Sequence, residues 1–262
     1  MKHLVTFSPL LLLLGQLNLA QEPKAPNIAD LTAHLRSRRE ATDFRVSGKL
    51  VRLGASGERR PYPYSMTASS IDGAIKIFLD VSAPPPSGFR LLLESAADGG
   101  VSARMGHSGD AAPRTLSFQE WGQPILESDF NYEDLLETQF LWKRQMLVRE
   151  ERCGARQCYV VISEPGAEDK SHYSSVTSWL DRETYYPVKV EKVVRVSGIS
   201  KTFTAFGLRE SKGLWSASQI EARTSGRTGS TLLIISRGTG KAHVAASEFD
   251  PRLLTKADRT RR

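Results

Sequence analysis

"SHYSSVTSWLDRETYYPVKVEKVVRV", residues 171–196, reads as two extended runs joined by the tight turn "DRETYY" at 181–186. Bulky residues recur along both, Trp179 in the first and Val188 and Val190 in the second. The same text continues on either side. Upstream lie "QFLWKRQMLVREERCG" (139–154) and "RQCYVVISEP" (156–165). Downstream lie "SKTFTAFGLRES" (200–211), "GLWSASQIEARTS" (213–225) and "STLLIISRG" (230–238).

The first half of the chain follows the same pattern. "TDFRVSGKLVRL", "YPYSMTASSI", "GAIKIFLDVS", "GFRLLLESA" and "VSARMG" read as half-buried strands, punctuated by "GASGERRP", "SIDG", "APPPSG" and "ADGG". The triple proline at 84–86 belongs to a loop, because a central strand cannot spare three amide donors. One stretch changes period. "NIADLTAHLRSRREAT" carries Ile28, Leu31 and Leu35 at helical spacing behind a possible N-cap, Asn27. Eight or more antiparallel strands with two short helical interludes predict a single α+β or mostly β unit. No βαβ alternation is present, so a doubly wound sheet is excluded.

The 262 residues are 40% hydrophobic and 25% charged, an ordinary globular balance. The first twenty, "MKHLVTFSPLLLLLGQLNLA", have the basic start, apolar middle and small final residue of a secretory leader. The expected organisation is a signal peptide at 1–20, one domain at 21–255 and a basic tail at 256–262. Removing Lys2 leaves 35 basic residues against 29 acids, about +6. The basic residues are scattered, densest in "RSRR" (36–39) and the terminal "RTRR", and export argues against nucleic acid. A basic face would suit anionic head groups instead.

Enzyme signatures are not found. There is no G-x-S-x-G and no H-E-x-x-H, and "SRGTGK" (236–241) has the wrong order for a phosphate cradle. Cys153 and Cys158 flank "GARQ" between two strand-like runs, which suits a disulfide pinning a hairpin better than a CxxC redox pair or a zinc site. The acidic stretch "SDFNYEDLLE" (128–137) reads as a capped helical turn. Asp129 is placed as the N-cap, Phe130, Leu135 and Leu136 pack inward, and the carboxylates face water. No metal or cofactor is expected.

What remains is a sheet with two faces and too few helices to cover them. Its bulky residues form either an ordinary core or, in some subset, a concave apolar cavity, and composition alone does not separate the two.

Three blocks carry a resemblance. Asp129, Phe130, Tyr132, Glu133, Asp134 and Leu135 fit the pattern D-F-S-Y-E-D-L, with Asn131 in place of Ser. Cys158, Tyr159 and Pro165 fit the next block, and Trp179, Asp181, Pro187, Val188 and Lys189 fit W-[IVL]-D-x-x-x-x-x-P-[LV]-[RK]. The chain resembles the outer-membrane lipoprotein-sorting family of Gram-negative bacteria, in a poorly characterised branch. The resemblance implies a strongly curved antiparallel half-barrel with covering helices and an apolar interior that receives acyl chains. It further implies a periplasmic carrier or chaperone between an inner-membrane donor and an outer-membrane acceptor.

On this basis the expected ligand is the acyl chain of a lipoprotein or phospholipid, bound by a monomer without catalysis. The candidate cavity residues are Phe44, Met66, Ile77, Leu79, Leu91, Leu93, Trp142, Tyr159 and Trp179. The 28–39 helix and the "VSAPPPSG" loop are the candidate lids. The alternative is a non-enzymatic envelope protein-interaction or regulatory module on the same fold. An enzyme would require His107 or His172 to meet a serine and a carboxylate inside the cavity. N-terminal sequencing of the exported protein should begin near Gln21, and intact Met1 protein in the membrane pellet would contradict the leader.

Overall fold

The computed structural model describes residues 26–40, 43–83, 88–96, 100–211 and 213–257. The leader, the triple proline and the end of the basic tail lie outside the described residues. Helix α1 (Ile28–Glu40) is followed by β1 (Asp43–Leu53), β2 (Arg59–Ile71), β3 (Ala74–Val81), β4 (Phe89–Ser95), β5 (Val101–Gly106) and β6 (Arg114–Thr115). A short helix α2 (Phe118–Trp121) and three single 3-10 turns lead to β7 (Arg144–Cys153), β8 (Arg156–Glu164), β9 (Tyr173–Asp181), β10 (Pro187–Val194) and β11 (Ser200–Phe206). The small hairpin β12 (Arg209–Ser211) and β13 (Leu214–Ser216) precedes β14 (Gln219–Thr224) and β15 (Ser230–Gly240).

Thirteen strands form one antiparallel sheet in the order β6-β5-β4-β3-β2-β1-β15-β14-β11-β10-β9-β8-β7. It is an unclosed, helix-poor sheet, as expected. The order has a consequence. β6 and β7 follow one another along the chain but stand at opposite edges. Residues 116–143 must therefore cross the whole sheet, and they do so over one face, here called inner.

Register makes that face apolar. Met105, Leu91, Leu79, Met66 and Val46 stand opposite one another from β5 to β1. A parallel row runs Ala103, Leu93, Ile77, Ala68 and Phe44. On the other side of β1, Leu50, Leu233 and Ile220 continue it. Along β3 the alternation is strict, with Ile75, Ile77, Leu79 and Val81 buried between half-buried neighbours, as a period of two requires.

Two features bend and close the strands. β1 bulges at Ser47/Gly48 against β15, and a Cβ on Gly48 would lie 1.8 Å from the Ile234 carbonyl oxygen. Only glycine fits there, and a bulge sharpens local twist. The "SIDG" turn places Asp72 at φ 52° and Gly73 at φ 75°, the two left-handed residues of a two-residue hairpin. In "DRETYY" the Asp181 Oδ1 accepts from the Thr184 amide (2.9 Å) and hydroxyl (2.8 Å), and Oδ2 accepts from Arg156 at 2.8 Å. The aspartate of the W-x-D block thus staples its own turn to the neighbouring hairpin.

The outer face is covered only in places. The turns Ala246–Phe249 and Pro251–Leu254 lay Phe249 and Leu254 on Leu92. At the far end Cys158 and Val160 cluster with Trp179, Tyr186 and Val188. A disulfide joins Cys153 to Cys158, Cα atoms 6.1 Å apart, across the β7–β8 hairpin. Because the closed loop is short, Cys153→Ser should cost about 2 kcal/mol, read as a lower denaturant midpoint that reductant reproduces in the wild type.

Candidate functional site

The stretch 128–137 is what holds the crossing segment down. Its helical portion is one 3-10 turn, Glu133–Leu135. The side chain that accepts from an amide of this turn is that of Asn131, not Asp129. Asn131 Oδ1 accepts from the Asp134 amide and Asp134 Oδ2 accepts from the Asn131 amide, both at 2.9 Å. Asn131 Nδ2 also donates to the Tyr173 hydroxyl at 2.9 Å, so the Asn that replaces Ser in the D-F-S-Y-E-D-L pattern has structural work. Asp129 instead accepts from the Thr231 hydroxyl at 2.8 Å, which ties the segment to β15.

Nor do three of the four carboxylates face water: the Asp129, Glu133 and Asp134 side chains are buried, and only that of Glu137 is partly exposed. The Asp134 side chain is 1% exposed and accepts from Lys192 Nζ (2.9 Å), Lys201 Nζ (2.5 Å) and the Tyr173 hydroxyl (2.7 Å). Lys192 and Lys201 are direct cross-strand partners on β10 and β11. Two inward ammonium groups in that position repel each other, and Asp134 relieves the repulsion by binding both. Each ammonium also lies over the Tyr173 and Phe203 rings, between 5.0 and 5.8 Å from the centroids. Burial alone would raise the Asp134 pKa, but the two lysines outweigh it and hold the carboxyl far below its usual range. Burial and the adjacent Asp134 charge push the Tyr173 hydroxyl up, so it remains a donor.

Glu133 makes a second clamp. It accepts from the Ser171 hydroxyl, from the His172 amide at 3.0 Å, and pairs with His172 Nδ1 at 2.9 Å. The imidazole stacks on Phe118 at 4.2 Å. A serine, a histidine and a carboxylate therefore do meet. However, hydroxyl and imidazole both engage the same carboxylate, and no hydroxyl-to-imidazole bond sets up a nucleophile with its base. His107 lies elsewhere, with Nδ1 2.7 Å from the Gly88 carbonyl oxygen. Among the described residues no group of metal-ligating side chains assembles.

Fastened in this way, the crossing segment presses Leu116, Trp121, Ile125, Phe130 and Leu136 into the inner face. Six of the nine candidate residues meet in that cluster. Ile77, Leu79, Leu91 and Leu93 are buried, whereas Phe44 and Met66 are only half-buried. With Val46, Tyr62, Ile220 and Leu233 they form a half-open apolar stripe across β2, β1, β15 and β14. Leu126, Tyr132 and Leu135 of the crossing segment are half-buried against the same cluster.

Three candidates lie apart. Tyr159 packs under α1 with Leu31, Leu35 and Phe140. Trp142 belongs to the crossing segment, ahead of β7, and packs on Tyr173 and Val176. Trp179 points to the outer face, since its cross-strand partner is Val160 while its neighbour Leu180 pairs with Tyr159 on the inner face. The candidate lid helix is held by Arg38–Glu137 (2.6 Å) and by Arg39, which donates to Ser95 Oγ (2.7 Å). Four residues of the other candidate lid, 84–87, lie outside the described residues.

A protein-family model described as "-like: Uncharacterized protein" matches residues 111–256, more than half of the chain. No curated protein matches the chain. Among solved structures, a domain assigned to the outer membrane lipoprotein-sorting proteins of Vibrio parahaemolyticus superposes with a TM-score of 0.76 at 20% identity, covering 85% of this chain and 96% of that one. A DUF1329 family protein from Desulfovibrio piger gives 0.77 at 14% identity, over 86% and 97%. A LolA superfamily protein from Nitrosomonas europaea gives 0.66 at 17%, over 86% and 98%. The fold recognised in the sequence is the fold observed. At these identities the likeness concerns the fold and not the ligand.

Asp134→Asn should destabilise the protein by about 3–5 kcal/mol, because two buried lysines lose the counter-charge they share. The Asp134 contribution is complete above the unfolded carboxylate pKa of about 3.9 and is lost as pH falls below it. Urea melts between neutral and acidic pH should therefore show a slope in the wild type that is reduced in Asp134→Asn.

Proposed function

The chain belongs to that uncharacterised family, and from its fold and inner face we propose that it is an exported, non-enzymatic carrier or chaperone for an acyl chain. The domain would be residues 21–255 after loss of the leader, working in the periplasm as a monomer. The cargo is the acyl chain of a lipoprotein or phospholipid, taken from an inner-membrane donor and passed towards the outer membrane. No helix among the described residues is long and apolar enough to cross a membrane.

One observation carries this reading. The stripe of Phe44, Val46, Met66, Ile220 and Leu233 is apolar, continuous across four strands and only half-buried. Each acyl methylene withdrawn from water there returns about 0.8 kcal/mol, which is what a carrier needs to compete with a bilayer. Beside it the crossing segment holds Leu126 at φ 50° and Glu127 at φ 57°. A left-handed leucine is strained by roughly 1–2 kcal/mol, and the segment that carries it is held to the neighbouring strands by Arg52–Glu127 (2.6 Å) and Asp129–Thr231 (2.8 Å). A second reading, an envelope protein-interaction module, is favoured by how much of the inner face the crossing segment already fills.

Titration with an environment-sensitive fatty-acid probe tests the carrier reading. About one probe per chain should bind, and phospholipid should displace it. Met66→Glu should weaken binding roughly tenfold or more, since an unpaired carboxylate would face the methylenes. Lys49→Glu, exposed on the other face of β1, should leave it unchanged. Well-folded wild-type protein that takes up no probe would favour the interaction module instead.

A further inference from the structure

The outer face carries a cleft that the inner-face reading does not use. It lies between the end of the disulfide hairpin and the end of β11, with a volume of about 530 Å³, within the range of small-ligand sites. It is firmly built. One wall is closed by Cys153–Cys158. At its floor the Trp179 indole N–H donates to Glu151, and Lys189 Nζ stands 4.0 Å above the indole ring. The opposite wall ends at Phe206 and Gly207, where the Ser218 amide donates to the Phe206 carbonyl at 3.0 Å. Gly207 has φ 61°, and a Cβ there would lie 2.1 Å from Ser218 Oγ.

Its lining divides by chemistry. Phe206, a lining residue 45% exposed, joins Val188 and Leu208 as an apolar wall. Arg156 is engaged by Asp181 at 2.8 Å, and Glu151 by Arg149 at 2.7 Å. Lys189 also lines the cleft; it rests on the Trp179 ring, and among the described residues it has no carboxylate within ion-pair distance. Arg152 borders the cleft, but its cross-strand partner is Gln157, beside the inner-facing pair Glu150 and Tyr159, so its side chain turns to the other face. An apolar wall beside a lysine without a carboxylate partner suits an amphiphile with an anionic head. We propose that this cleft is a second ligand site, for a small single-tailed amphiphile with an oxyanion head. The tail lies on Phe206 and Leu208, and Lys189 holds the carboxylate or phosphate.

Octanoate, octyl phosphate and 1-octanol serve as probes, and the indole N–H resonance of Trp179 serves as reporter, identified by its loss in Trp179→Phe. Titrations run on wild type and on Met66→Glu, which removes the inner-face contribution. In both backgrounds at least one of the two anions should move the Trp179 resonance saturably, and 1-octanol should bind about fivefold more weakly or less. Whichever anion binds more tightly identifies the source as a fatty acid or a phosphate-headed lipid. Lys189→Gln, at a partly exposed position, should weaken the anion by about fivefold or more with an unchanged melting temperature. An unmoved Trp179 resonance, equal affinity for 1-octanol, or indifference to the Lys189 substitution would overturn the proposal. The fatty-acid probe result at Met66 is independent of all three, so failure of one site is distinguishable from failure of the other.

Discussion

One carboxylate between two ammonium groups sets the form of this molecule. Asp134, Lys192 and Lys201 are each less than 10% exposed. Withdrawing such charges from water costs several kcal/mol each, so the cluster is tolerable only because the carboxylate pairs with both ammonium groups. Asp134 accepts from two lysines, a tyrosine hydroxyl and the Asn131 amide. What this arrangement secures is specificity of placement. The sheet order obliges residues 116–143 to cross the inner face, but hydrophobic contact alone would let them settle in many ways. An aspartate that must meet a particular lysine pair on β10 and β11 selects one.

From that fixed point the inner face acquires its division. On one side of it Leu116, Trp121, Ile125 and Leu136 join the core cluster of β3 to β5, while Phe130 packs on Phe203 of β11. On the other, α1 and Phe140 seal β8 and β9. Between them β1, β2, β14 and β15 keep apolar side chains half in view. The crossing segment is tied at Asp129, Glu133, Asp134 and Glu137, and the half-buried side chains left beside it are the surface that the proposed acyl ligand would meet.

Much of the fold was legible in the sequence because strand alternation and turn chemistry are local. "SIDG" and "DRETYY" became tight turns, and the Cys153–Cys158 hairpin formed where its spacing placed it. The site was less legible. Asp129 looked like a cap because the capped turn was read two residues too early, and exposed acids are the ordinary expectation. That Lys192 and Lys201 stand opposite one another inside the molecule depends on register, which no single strand reveals. The same limit explains Trp179. In a strand buried on both faces, "SWL" gives no sign of which neighbour turns inward, and the indole went to the outer cleft while Leu180 went inside. The motif was recognised correctly, but its acids serve the architecture.

Whether the half-open stripe holds lipid in the cell is the central question. Native mass spectrometry of protein purified from the periplasm, followed by lipid extraction, addresses it most directly. An acyl-bearing molecule bound at about one per chain, and released when the protein is denatured, is the expected result. Protein that flies as the bare chain under conditions that preserve other lipid complexes, with no extractable acyl groups, would contradict it.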